Sequence, residues 1–355
     1  MAALTRVAHP EDAAHRRHAI RDGEDVGALR RTVTSLATTC TGIRAGDAAL
    51  IATELATNIV RHATGGGEVL LRRVTGGIEL LAIDRGPGMD QVTRLGHPGS
   101  PRPARPVGPV RAGAGLSVGL ASVARLATTF DLYSSPPEGT VVLARLLGYQ
   151  PGHRWCRWGG VNVAVGEDEQ SGDRWAVAAN GTLAALVVDG LGHGALAAAA
   201  SEAAVSVFGD EPLTDVAAYV ATAHRAMLGT RGAVLGICAI DPARQLLRYA
   251  GVGNIAGRVL TNGAGQGLLS RDGTLGTQLP VPRTEVVQHQ WSPGATLILA
   301  SDGIRSTWNP LAYPGLLGHD PAVVAATLLR DHERGSDDAT VLVVQDLRRD
   351  HREAK

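Results

Sequence analysis

The sequence predicts an α+β protein of two domains. Three observations carry this: a chain too long for one ordinary domain, helix-like segments at its start, and many short strand patterns with grouped helices beyond its middle. At 355 residues there is room for two hydrophobic cores. The hydrophobic fraction of 44% and charged fraction of 19% describe an ordinary soluble globular protein.

Charge-rich segments at residues 25–39 and 46–63 read as helices. The second sets Ile51, Leu55 and Ile59 on one side at i, i+4 spacing, as a buried stripe requires. Gly65, Gly66 and Gly67 end it. Residues 68–74 and 78–83 read as two strands joined by Thr75-Gly76-Gly77, a hairpin signal. Residues 96–111, rich in Pro, Gly and Arg, read as a loop. A helix over 116–127 and a closing strand over 139–146 complete the first domain, residues 1–147.

Residues 148–154, containing Gly148, Pro151 and Gly152, form the expected linker to a second domain of residues 155–348. Strands are expected there at 161–165, 175–179, 183–188, 233–240, 246–251, 255–260, 296–300 and 339–344. Helices at 195–208 and 213–228 separate the third strand from the fourth, and a helix at 321–331 precedes the last.

Composition excludes several function classes. Thirty-four basic residues balance 34 acidic ones, against a general nucleic-acid or membrane-surface binder. No early segment has the pattern of a signal peptide, and the apolar stretch 195–207 is too short to span a bilayer. Cys40, Cys156 and Cys238 have no metal-ligand spacing, so reduced thiols in the cytoplasm are expected. The only lysine is Lys355, which closes the P-loop and protein-kinase routes to ATP, both of which need an internal lysine.

Two apolar strands each run into Asp-Gly, at Asp189-Gly190 and Asp302-Gly303. A carboxylate at a strand end is held rigidly, and the Gly allows a tight turn that offers a carbonyl to the same ion. Mg²⁺ and Mn²⁺ prefer such oxygen ligands. Asp337-Asp338 precedes the final apolar strand, and Asp173 opens a strand sixteen residues before Asp189. One Asp-Gly alone is a common turn. The whole order, Gly-Asp, then Asp189-Gly190-Leu191-Gly192-His193-Gly194, then Ser301-Asp302-Gly303-Ile304, then Asp337-Asp338-Ala339-Thr340, resembles the SpoIIE-like branch of the protein phosphatase 2C superfamily.

That resemblance implies an α-β-β-α sandwich holding two ions, Mn²⁺ or Mg²⁺. By motif, Asp189 bridges both ions and acts in catalysis, the Gly190 carbonyl binds one, Asp302 and Asp337 hold the other, and Asp173 lines the site. Asp338 competes with Asp337 for that role. His193 stands two places beyond the general-acid His of larger relatives, where this chain has Leu191, so a supporting or helix-start role is favoured.

In the first half, Glu54 and Asn58 share a helix face away from the apolar stripe, a pattern that alone fits a solvated face. Asp84-Arg85-Gly86-Pro87-Gly88 follows a strand. Gly113, Gly115 and Gly119 lie at a helix start, where backbone N–H groups and the positive end of the helix dipole favour phosphate. These segments resemble the GHKL ATPase (Bergerat) fold, an α/β sandwich that needs no P-loop lysine. The run Thr53-Glu54-Leu55-Ala56-Thr57-Asn58 and the segment from Ser134 to Thr140 resemble its anti-sigma-factor and stressosome switch-kinase branch.

The resemblance implies ATP with Mg²⁺ as cofactor. Asn58 is on the ion, Asp84 on the adenine amino group, Gly86 and Gly88 shape the base pocket, Gly113, Gly115 and Gly119 serve the phosphates, and Thr140 sits on the base side. Glu54 is the general base on a serine hydroxyl. Expected partners are phosphoproteins, small STAS-type antagonist proteins among them, and a sigma factor or its regulators, with no nucleic acid or membrane. The reading is a serine protein kinase joined to a phosphoserine/phosphothreonine phosphatase. Its rival makes the first half a non-catalytic ATP-binding or sigma-factor-sequestering module that regulates the phosphatase.

Overall fold

The computed structural model describes residues 5–7, 14–89, 118–149, 155–166, 170–209, 215–261, 263–277 and 284–348. The chain folds as two compact units. One comprises Met1–His15, His153–Trp308 and Asp331–Lys355; the other comprises Arg16–Gly152 and Asn309–Arg330. Two stretches thus depart from the expected division at 147 and 155. The N-terminal strand β1 (Thr5–Val7) pairs with a strand of the second half, and residues 309–330 count with the first half. Backbone pairing and packing, neither visible in local composition, decide both.

The unit built on Arg16–Gly152 contains β2 (Arg16–Ile20), α1 (Gly23–Thr38), α2 (Ala45–His62), β3 (Gly67–Val74), β4 (Gly77–Asp84), α3 (Val118–Leu126), β5 (Thr129–Ser135) and β6 (Gly139–Leu147). Its antiparallel sheet has the order β2-β3-β4-β6-β5, so β6, the closing strand of this stretch in sequence, is internal to the sheet. β2 and β5 have no counterpart in the sequence reading. They are short or half-exposed strands with weak apolar patterning. Asp22 caps α1, accepting the N–H groups of Glu24 and Asp25. The stripe Ile51, Leu55 and Ile59 is buried as expected, against Val69, Leu71, Leu80 and Val142.

The opposite sheet face is also buried, at Leu70, Leu81, Ile83, Val141 and Leu143. It contains Glu79, which lies in register between Arg72 on β3 and Arg145 on β6. Glu79 accepts Nε–H bonds from both, at 2.6 and 2.5 Å. Arg145 also donates in a bidentate pair to Asp320, at 2.8 and 3.0 Å. Asp320 in turn caps a helix by accepting the Ala322 N–H.

The other unit contains β7 (Cys156–Val163), β8 (Asp173–Asn180), β9 (Thr182–Gly190), α4 (Ala195–Ser206), α5 (Val216–Ala226), β10 (Ala233–Asp241), β11 (Leu246–Val252), β12 (Ala256–Thr261), β13 (Ala264–Leu268), β14 (Val287–Gln290), β15 (Thr296–Ala300) and β16 (Ala339–Asp346). The helix capped by Asp320, α6 (Pro321–His332), lies between β15 and β16 in the chain. One sheet has the order β1-β8-β9-β10-β11-β14 and the other β13-β12-β15-β16-β7. Trp175, Val187, Cys238, Tyr249, Leu297, Leu299 and Leu342 share one core, the filling of a two-sheet sandwich. The other face of the first sheet packs Leu186, Leu235 and Ile237 with Ala200 and Ala204 of α4 and Tyr219 and Val220 of α5. β13, exposed and glycine-rich, and the four-residue β14 carry too little apolar pattern to be read as strands.

Candidate functional site

The sandwich brings distant aspartates to one end of its strands. Asp173 opens β8 directly opposite Asp189 near the end of β9. The Ser301 N–H donates to the Thr340 carbonyl and the Thr340 N–H to the Ser301 hydroxyl, fixing the turn of Asp302 beside that of Asp337 and Asp338. Asp189, Asp302 and Asp337 line one cavity of about 360 Å³ with Asn254 and Asp272.

Glycine is needed at two of these turns. A Cβ on Gly190 would run into the Ala197 carbonyl, and one on Gly303 into the Asp338 carbonyl. Only a residue without a side chain lets these backbones approach so closely.

The carboxylates feel one another. Burial pushes the Asp189 carboxyl up to about 9, reinforced by the charges of Asp173, Asp302, Asp337 and Asp338. Asp173 is pushed up to about 7, chiefly by burial. Asp302 is raised by burial and by Asp337, while the Asn254 side chain, donating to Asp302 Oδ2 at 2.8 Å, opposes the rise.

The structure separates Asp337 from Asp338. Asp338 spends its two oxygens on the backbone N–H groups of Val165, at 2.7 Å, and Gly172, at 2.5 Å. Asp337 borders the cavity. His193 is exposed and immediately precedes Gly194, the N-cap of α4. Asn254 and Asp272 are additions to the expected set. Asn254 carries no charge to flag it, and Asp272-Gly273 follows no apolar strand.

These residues fit divalent cations. Asp173 Oδ2 is buried without a hydrogen-bond partner among the described residues, within a group of like charges that a cation would relieve. Among the described residues no group of three or more His, Cys, Asp or Glu side chains is set close enough to hold a metal ion.

The second set gathers around β4. Asp84 pairs in register with Thr140, and its Oδ1 accepts the Gly86 N–H at 2.8 Å. Burial raises the Asp84 carboxyl, partly offset by the Gly86 and Thr140 backbone. The Ser134 hydroxyl accepts the Met89 N–H and lies 3.1 Å from the Thr140 hydroxyl, so the 134–140 hairpin meets the Asp84–Met89 turn. A Cβ on Gly86 would lie 2.8 Å from the His62 carbonyl, one turn beyond Asn58, and a Cβ on Gly88 against Pro136.

Gly119, at the start of α3, leaves room for Glu54: a Cβ there would strike Glu54 Oε2. Asn58 Nδ2 is buried without a partner among the described residues, an orphaned donor that fits a bound polar group. Gly113 and Gly115 lie outside the described residues.

Residues 21–146 match the family of histidine kinase-like ATPase domains, and residues 179–346 match the family Stage II sporulation protein E (SpoIIE). No curated protein matches the chain. Among solved structures, a chain from the bacterial stressosome is 28% identical with a TM-score of 0.50, over 54% of this chain and 100% of that one. RsbX in complex with magnesium is 21% identical with a TM-score of 0.48, over 55% and 97%. The RsbU and RsbW domains of a Mycobacterium tuberculosis protein are 19% identical with a TM-score of 0.45, over 54% and 61%. Among the described residues no helix is long and apolar enough to cross a membrane. One chain thus joins a stretch that matches histidine kinase-like ATPase domains to a stretch that matches the SpoIIE family.

Proposed function

We propose that the chain is a bifunctional signalling regulator: a metal-dependent phosphoserine/phosphothreonine protein phosphatase with an ATP-dependent serine protein kinase domain. The observation that carries the phosphatase reading is the convergence of Asp189, Asp302 and Asp337 on one cavity. Asp189, Asp302, Asp337 and the Gly190 carbonyl would hold two ions, Mn²⁺ or Mg²⁺. When bound, such ions lower the pKa of water and neutralise charge on phosphoryl oxygens. Asn254 holds Asp302 in place, and Asp173 adds negative charge behind Asp189.

In the ATPase domain Asn58 would meet Mg²⁺, Asp84 the adenine amino group, and Thr140 the base side. ATP supplies the phosphoryl group. Glu54, held against the start of α3, accepts the serine proton, of which little is transferred in a loose transition state. Partners of the stressosome type, small STAS-type antagonist proteins or a sigma factor's regulators, follow from the kinds of protein this chain resembles. A cytoplasmic site of action belongs to the same reading.

One experiment with two arms tests it. With Mn²⁺, the wild type should hydrolyse p-nitrophenyl phosphate and Asp189→Ala should lose roughly 100-fold or more in kcat. With ATP and Mg²⁺, Glu54→Ala should bind nucleotide normally but transfer no phosphate to a partner by mass spectrometry. Equal turnover by Asp189→Ala removes the phosphatase assignment. Undiminished transfer by Glu54→Ala removes the kinase assignment and leaves the other standing.

A further inference from the structure

The cavity has a charge problem that its acidic lining does not solve. Asp189, Asp272, Asp302 and Asp337 all border it. A phosphomonoester arrives with a charge of roughly −1.5 to −2 at neutral pH. Cations bound by the aspartates offset part of the repulsion, and a protein cation at the rim would orient the incoming group.

Among the described residues, Arg271, Arg334 and Arg231 stand near this opening. Arg271 is closed on Glu285 in an exposed ion pair. Arg334 stands where its charge favours ionised Asp302, and its own N–H donates to the Gly303 carbonyl at 2.8 Å. Arg231 is exposed and makes no hydrogen bond or ion pair among the described residues.

The backbone holds Arg231 at the rim. The turn after α5 is fixed by the Thr230 hydroxyl, which donates to the Met227 carbonyl at 2.7 Å and accepts the Gly232 N–H at 3.1 Å. The Gly232 carbonyl accepts the Leu191 N–H at 3.0 Å, tying this turn to the loop that follows Asp189. Gly192, itself in the cavity wall, has φ +81°, and a Cβ there would lie 3.1 Å from Arg231 Nη1. The absence of a side chain at 192 therefore leaves the guanidinium bordering the opening.

We propose that Arg231 binds the phosphoryl oxygens of the substrate at this cavity, an inference that rests on the phosphatase reading above. A planar guanidinium presents two parallel N–H donors to two phosphate oxygens, which an ammonium does not. Arg231 takes no proton and forms no bond to phosphorus. It fixes the phosphoryl group over Asp189 and Asp302.

The test uses the full chain with Mn²⁺, p-nitrophenyl phosphate as substrate and inorganic phosphate as competitor. Arg231→Ala should raise KM and the phosphate inhibition constant together by about tenfold, with kcat within about twofold, the order expected of one charge-assisted contact at an exposed rim. Arg231→Lys should restore part of both, and Arg334→Ala should leave the phosphate constant unchanged. An unchanged KM and phosphate constant in Arg231→Ala overturns the proposal, as does an effect confined to Arg334→Ala. If the wild type shows no turnover, the phosphatase reading fails. Calorimetric titration of inorganic phosphate into wild type and Arg231→Ala then decides: equal affinity overturns the role of Arg231, and weaker binding by the variant supports it.

Discussion

Asp189 concentrates the chemistry of the chain in a single side chain. Buried and surrounded by four other carboxyls, it holds its proton to about 9, and Asp173 to about 7. In the metal-free protein both values lie above those of the unfolded chain. Between an ordinary carboxylate pKa and these values the folded state binds more protons than the unfolded state, so stability falls as pH rises. A divalent cation must displace the same protons, so its affinity rises over that range. The melting temperature with chelator should therefore fall from about pH 5 to about pH 9, and the gap between Mn²⁺ and chelator should widen. Two parallel curves would contradict this electrostatic picture. Asp189 and Asp302 were legible because each ends an apolar strand before Gly. The sequence could not separate Asp337 from Asp338, because only the Val165 and Gly172 amides reveal which carboxylate is occupied. Asn254 was silent, since an uncharged side chain after Gly has no pattern of its own.

Among the elements, β4 shows how a strand buried on both faces accommodates charge. Glu79 is fully buried, yet its two oxygens meet Arg72 and Arg145 on the neighbouring strands, and Arg145 continues to Asp320. Removing the central carboxylate would take its counter-charge from the buried Arg72 and leave Arg145 with Asp320 alone, which costs about 3–5 kcal/mol. Glu79→Ala should lose that much in urea unfolding, and Glu79→Gln, which keeps the hydrogen-bonding shape, should lose less. Equal stability of Glu79→Ala and wild type would mean that the network contributes nothing. β3, β4, α1 and α2 follow sequence periodicity closely because their apolar stripes are continuous. β2, β5, β13 and β14 depend on neighbours for their pairing, and no local pattern specifies a strand of that kind.

For the molecule as a whole, two domains were legible, but the assignment of every segment to them was not. Residues 309–330 fold with the unit of Arg16–Gly152, and Met1–His15 with the other. Asp320, which caps α6 and clasps Arg145, is indistinguishable from any helix cap in the sequence alone. A chain ending at Gly152 would lack this clasp. It should melt below the full chain, since Arg145 and Asp131 lose the pairing with Asp320 and His319. A truncated chain as stable as its counterpart in the whole would show that residues 309–330 add little.

The same threading matters during synthesis. The strands up to Leu147 leave the ribosome long before Arg330, and translation at about 5–20 residues per second places the interval on the order of ten to forty seconds. Throughout it, Arg145 and Asp131 on the nascent sheet lack the Asp320 and His319 partners that hold them in the finished fold.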